Sequence, residues 1–355
     1  MTATPGARKA GILQRLLGNR MLMTSVKLVL AAALLYWVCS TINWQDMRAR
    51  LATLNWWWFA LGATFQCVVI LIAIHRLQIL LRAQGVLLSY LRTLKYASIG
   101  LFFNVMLPGG AGGDVLKIYY VAREVPDRKP EIITAVLLDR CMGLVAVVTI
   151  AACALIATAG TSPQLAPLAV PAALVLLAVI AGGVLVATRD FWRRYAWWRW
   201  AEERMPRFLR AMIDALHRYR NHKAAAATAL LESFTLQLLM CVIALCFGAG
   251  LRLTLAWYQY FVVFPIIAFV LNIPATPSGV GTTEWVSSEL FAKLGQGSDA
   301  GFAFMILFRL NILLAGVPGL VLYLLPGTRV TRAALAAGTG EIEEDRTNDH
   351  NRGGV

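Results

Sequence analysis

The sequence predicts an all-α fold, a polytopic integral membrane helix bundle with about six full spans and two oppositely oriented re-entrant Gly/Pro-rich elements forming an inverted repeat. Three observations carry this expectation. Hydrophobic residues make up 59% of the 355 and charged residues only 15%, with a mean hydropathy of +0.64, a balance that excludes an ordinary soluble enzyme. Uncharged stretches of about twenty residues recur, the length a helix needs to cross roughly 30 Å of hydrocarbon. Two further apolar segments run into glycine and proline clusters.

Taken in order, residues 1–20 form a basic N-terminal segment with Arg8, Lys9, Arg15 and Arg20 and no acid. Residues 21–40 make the first span, with no small-x-small site to mark a cleaved signal. The second span, 56–74, opens on Trp56, Trp57 and Trp58, which with Trp44 make an interfacial aromatic belt. His75, Arg76, Arg82, Arg92 and Lys95 follow it, and His75 with Arg76 is expected to anchor headgroups. Further spans are 141–159, 166–187, 224–250 and 302–325. Residues 189–223 carry ten bases, four acids and Trp192, Trp197, Trp198 and Trp200, the composition of a cytoplasmic amphipathic segment at the interface. The transmembrane domain is thus 21–326, and the polar tail 327–355 is expected to be disordered.

Every even-numbered loop is basic, which by the positive-inside rule places both termini in the cytoplasm. The net charge of +14 is spread over those loops rather than gathered on one domain, so anionic headgroups are the expected partner and nucleic acid is not. Cys39, Cys67, Cys141, Cys153, Cys241 and Cys246 all lie in apolar stretches without metal-ligand spacing, and read as small core residues. No metal, cofactor or catalytic residue is expected.

The two interrupted segments resemble each other. Asn104, Pro108, Gly109, Gly110, Gly112, Gly113 and Asp114 parallel Asn272, Pro277, Ser278, Gly279, Gly281 and Glu284: an Asn, then P-x-G-x-G, then an acid. Backbone of this kind at membrane depth must line protein or a watery cavity, because lipid cannot satisfy its polar groups. Helix N-termini following such loops suit a phosphate. Close helix packing is the alternative use of the glycines. The first cluster lacks the strand of a dinucleotide fingerprint and the G-K-[ST] of a P-loop.

Ionisable groups at this depth are costly, so each is a candidate. Arg309 lies within the last span, with Glu284 or a lipid phosphate as the expected partner. Asp114 and Lys117 share a helix face, and with Glu284 and Arg309 make two acids and two bases around the expected cavity. Asp139 and Arg140 stand at the start of the third span, a cheap interfacial position. Glu232 is a candidate coupling carboxylate, with Lys223 or water in reach.

The series Asn104-x-x-x-Pro108-Gly109-Gly110-x-Gly112-Gly113-Asp114-x-x-Lys117, Asp139-Arg140, Pro277-Ser278-Gly279-Val280-Gly281-x-x-Glu284 and Arg309 resembles the lysylphosphatidylglycerol synthase transmembrane-region, or flippase-like, family over about residues 20 to 326. Where that family often reads P-G-R-x-G-E, Gly110 replaces the base and Lys117 a downstream Arg. The resemblance implies a bacterial inner-membrane protein handling lipids: anionic phospholipid, aminoacyl-lipid, hopanoid or polyprenyl-linked lipid. It implies substrate-binding roles for Asp114, Lys117, Asp139, Arg140, Glu284 and Arg309. The large soluble aminoacyltransferase domain of bifunctional members is not recognised in the sequence. A lipid flippase is therefore expected, with a non-transporting envelope-assembly partner or an enzyme acting on a lipid phosphate as alternatives, and a homo-oligomer is compatible with either.

Overall fold

The computed structural model describes residue 36 and residues 44–106, 112–160, 166–192, 194–195, 204–205, 213, 217, 219–272, 276 and 279–325. Among these, the elements in order are α1 (Trp44–Ala52), α2 (Trp56–Ala83), α3 (Tyr90–Met106), α4 (Gly112–Glu124), α5 (Lys129–Thr158), α6 (Ala169–Ala187), α7 (Arg189–Trp192), α8 (Lys223–Gly250), α9 (Trp257–Leu271), α10 (Thr282–Lys293) and α11 (Ser298–Leu324). No strand occurs among the described residues. Five helical segments, α2, α5 with its leading 3-10 turn, α6, α8 and α11, are long and apolar enough to cross a membrane. The chain is an all-α, multi-pass membrane bundle.

Local rules set the starts of these helices. Asn55 caps α2 by accepting the Trp57 N–H at 3.1 Å. Pro130, in the first turn of α5, has no N–H to leave unpaired. In α10, the Gly281 N–H donates to Glu284 Oε2 at 2.8 Å, the carboxylate half of a capping box. Gly279 and Gly281 just before it have φ of +68° and +85°, a region that side-chain-bearing residues rarely adopt.

The helices form two equivalent series. From α2 to α5 the lengths are 28, 17, 13 and 30 residues, and from α8 to α11 they are 28, 15, 12 and 27. The leading helices α2 and α8 pack together. The Asn55 N–H donates to the Gly250 carbonyl at 3.0 Å near one end, and Arg76 donates to Ser233 Oγ at 2.7 Å near the other. They are therefore antiparallel. Likewise α3 of the first series packs on α11 of the second, and α9 of the second on α5 of the first, with Ser98 and Phe102 against Gly319 and Gly316. Equivalent helices running in opposite directions are related by a two-fold axis crossing the bundle, the geometry of an inverted repeat.

Within each series the two short helices make a hairpin. Arg92 and Tyr96 on α3 both donate to Glu124 at the end of α4, while Gly100 and Asn104 meet Gly113 nearer the tip. In the second hairpin the Thr254 N–H, just before α9, donates to Gln296, just after α10, at 3.0 Å. Each hairpin thus returns to the end where it began. The first opens on the face bearing Arg82, Arg92, Arg123 and Lys129, hereafter the basic face; the second opens on the face bearing Trp56 and Trp257, the tryptophan face.

Two buried clusters hold the series together, one around Phe247, Phe304 and Phe308 and one around Leu80, Ile99 and Leu138. On α6 large apolar side chains point outward, Leu174, Leu177 and Val184 among them, as a surface bathed in hydrocarbon requires.

Several expectations change. The helix of the second span continues nine residues past 74, to Ala83, and α5 starts at Lys129 rather than 141. Asp139 and Arg140 accordingly sit some ten residues inside a helix, and His75 and Arg76 are intrahelical rather than terminal. Glu232 bonds His75, with Nδ1 to Oε1 at 2.6 Å, rather than Lys223. Cys141, Cys241 and Cys246 are buried, but Cys67 and Cys153 are exposed on the outer surface, where small hydrophobes suit lipid as well as core. The first span apart from Tyr36, the N-terminal segment 1–20 and the tail 327–355 lie outside the described residues. Of the amphipathic segment 189–223, α7 and the 3-10 turn Tyr219–Asn221 are described.

Candidate functional site

Both hairpin tips deliver the start of a short helix into the bundle, and each start carries a carboxylate. On α4 that group is Asp114, 8% exposed. Its approach depends on Gly113, where a methyl group would overlap the Gly100 carbonyl and Asn104. Asn104 meanwhile accepts the Gly113 N–H at 2.9 Å, satisfying a helix-start donor from the neighbouring helix. Its amide nitrogen reaches Asp114 at 3.4 Å.

Asp114 is held by two cations. Lys117 Nζ lies 3.0 Å from Oδ1, and Arg140 Nε donates to Oδ2. One residue away on α5, Asp139 accepts from Arg76 Nε of α2 at 2.7 Å, and the same guanidinium donates to Ser233 on α8. Four elements are tied together by this network. The next rung along α2 and α8 is His75 with Glu232, whose Oε2 is buried without a hydrogen-bond partner.

On α10 the equivalent carboxylate is Glu284, 4% exposed. It receives Arg309 Nε, the Gly281 N–H and the Thr283 hydroxyl, and Arg309 also donates to Thr283 at 3.1 Å. The two ion pairs correspond: Asp114 and Arg140 are 26 residues apart, Glu284 and Arg309 are 25. In each, an acid in the first turn after a glycine loop meets an arginine in the following long helix. The repeated spacing was available in the sequence, but the apparent interfacial position of Arg140 concealed it.

Beside the first pair lies a cavity of about 280 Å³. Of the residues singled out from sequence, Asn104, Asp114, Asp139, Arg140 and Asn272 line it, so the paired Asn of both hairpins face one space. Lys117 backs Asp114 from outside the lining, and Glu284 and Arg309 pair with each other away from it. Gly112 and Gly113 begin α4, and Gly279 and Gly281 lead into α10; Pro108, Gly109, Gly110 and Pro277 lie outside the described residues. Glu232 adjoins the lining residue Ser233.

Sequence reasoning placed Arg76 at a helix end as a headgroup anchor and did not single out Ser233 or Gln237, and all three are in the wall. Gln237 is 7% exposed and its Nε2 has no hydrogen-bond partner. Buried amides are normally satisfied, so Gln237 marks the cavity as a place for an acceptor. The wall combines two arginines, two aspartates and three amides, a charge balance matched to a phosphate ester or a zwitterionic headgroup. Arg76 lies seven residues before the end of α2, roughly 10 Å deep by helix rise, and Asn104 roughly 20 Å into α3.

The sequence profile of the family described as the lysylphosphatidylglycerol synthase TM region matches residues 25–319. No curated protein matches the chain.

Proposed function

The chain belongs to the lysylphosphatidylglycerol synthase transmembrane-region family, and from that premise we propose that it moves a phosphate-bearing or zwitterionic lipid between membrane leaflets. The observation that carries this reading is the polar cavity touching the tips of two oppositely opening hairpins, through Asn104 and Asn272. In this reading the hairpins are re-entrant elements, and the headgroup crosses between them while the chains stay in hydrocarbon. A headgroup dragged through lipid alone would leave its charges unpaired at a cost of several kcal/mol or more; the Arg76, Asp139, Arg140 and Asp114 network supplies partners instead. The cell membrane is the cytoplasmic one, with the basic face inward.

Purified protein in liposomes with a fluorescent phosphatidylglycerol in one leaflet tests this. Exchange should rise above protein-free liposomes, and Arg140→Leu should abolish the increase while the protein stays folded. A folded parent protein that gives no exchange with phosphatidylglycerol, phosphatidylethanolamine or an aminoacyl-lipid would refute the translocator reading and leave the assembly partner.

A further inference from the structure

The wall of the polar cavity continues, on the same two helix faces, into an apolar groove. Along α5, Leu144 and Val147 line the cavity and Val148, Ala151 and Leu155 line the groove. These positions, i, i+3, i+4, i+7 and i+11, are one stripe of an α-helix. At the C-terminal end of α9 the matching series is the capping Asn272 in the cavity, then Phe269 and Ile266 of the helix in the groove. The groove has a volume of about 280 Å³ and is closed from its third side by α6. Every residue lining it is aliphatic, aromatic or proline.

We propose that this groove is the hydrocarbon-chain subsite for the lipid whose headgroup occupies the cavity, and that the arrangement seen here holds that lipid with its head toward the basic face and its tail toward the tryptophan face. The proposal rests on the translocator site and specifies its substrate. The course of the stripe settles this orientation. Because α5 starts on the basic face, the step from Val147 to Leu155 moves roughly 12 Å toward the tryptophan face. A lipid with its headgroup by Asp114 and its chain along this stripe therefore points head to the basic face and tail away from it. A water-soluble phosphate ester has no use for the groove. A diradyl lipid can pack its chain against this apolar wall without leaving hydrocarbon, a contact that free glycerol phosphate cannot make.

The test uses the full chain in nanodiscs containing phosphatidylglycerol with a diazirine in one acyl chain, irradiated and mapped by peptide mass spectrometry. Label should concentrate on residues 148–155 and 266–269. Ala151→Trp, which fills the groove from α5, and Val175→Trp, which fills it from α6, should each lower that labelling roughly tenfold. Having the two variants on different helices separates filling from local misfolding. Label spread evenly over the outward Leu174 and Leu177 of α6, or labelling unchanged in both variants, would overturn the subsite. Groove labelling without leaflet exchange in the liposome assay sinks the translocator reading and keeps the lipid site. Exchange without groove labelling sinks the subsite alone.

Discussion

Removing one member of a buried ion pair strands the other, and the Glu284–Arg309 pair shows how much depends on that. Glu284 would keep the Gly281 N–H and the Thr283 hydroxyl after Arg309→Leu, but its charge would be left uncompensated at 4% exposure. The expected cost is about 3–5 kcal/mol, read as a lowered melting temperature in detergent. Adding Glu284→Gln should restore most of it, since a neutral amide can replace the carboxylate at the helix start. A melting temperature in the double variant no higher than in Arg309→Leu would show that the pair is not what Arg309 stabilises. The equivalent Asp114–Arg140 pair borders the cavity instead, so Arg140→Leu should show its main effect in lipid exchange. Asp139→Asn should weaken the hold on Arg76 and slow exchange about tenfold, the scale of one charge-assisted hydrogen bond. Unaltered exchange in Asp139→Asn would remove that rung from the site.

At the scale of elements, hydropathy located α2, α6, α8 and α11 because each contains an uninterrupted apolar run. It misplaced the start of α5 and the end of α2 for one physical reason. Hydropathy ends the apolar runs at His75–Arg76 and at Asp139–Arg140, where polar residues stand side by side, whereas Arg76, Asp139 and Arg140 are carried inside helices by partners on other helices. Those pairings, between residues 63 and 26 positions apart, leave no local period to read. The hairpins were legible because glycine and proline at membrane depth demand a protein wall, and their shared Asn marked the repeat. The α3–α4 hairpin further depends on backbone contact between Gly100 and Gly113, which leaves no room for a Cβ at the latter. Gly113→Ala should force the hairpin apart at a cost of about 1–3 kcal/mol and loosen Asn104 from the α4 start. Faster hydrogen exchange across residues 112–117 would report it. Native protection in that segment would show that the close approach is not required.

For the whole molecule, the two-fold relation predicts a site opposite the cavity, and the described residues there are paired differently from those in the cavity wall. An offset of 168 residues carries Asn104 onto Asn272, and the offset of 169 that carries Arg140 onto Arg309 carries Met142, beside Gly143, onto Asn311. Gly143 leaves the wall open near Arg76, whereas Asn311 donates to Gln66 on α2 at 3.1 Å, with both amides buried. The amide pair ties α11 to α2 at that place. If transport swaps the two halves between their conformations, that pair must break as the counterpart opens toward the tryptophan face. Asn311→Ala leaves Gln66 buried without its donor, a penalty of about 1–3 kcal/mol on the present arrangement alone. A penalty of about 1.4 kcal/mol shifts a two-state equilibrium tenfold. With the native cysteines replaced, a cysteine at Thr282, beside the second hairpin tip, should then react roughly tenfold faster with a membrane-impermeant maleimide applied from the tryptophan face. A cysteine at Gly160, whose Cβ would meet open space, serves as the reference for that face, and one at Asp127 for the basic face. Equal reactivity at Thr282 with and without Asn311→Ala would show that the amide pair closes nothing, and that the bundle's symmetry is architectural rather than part of a transport cycle.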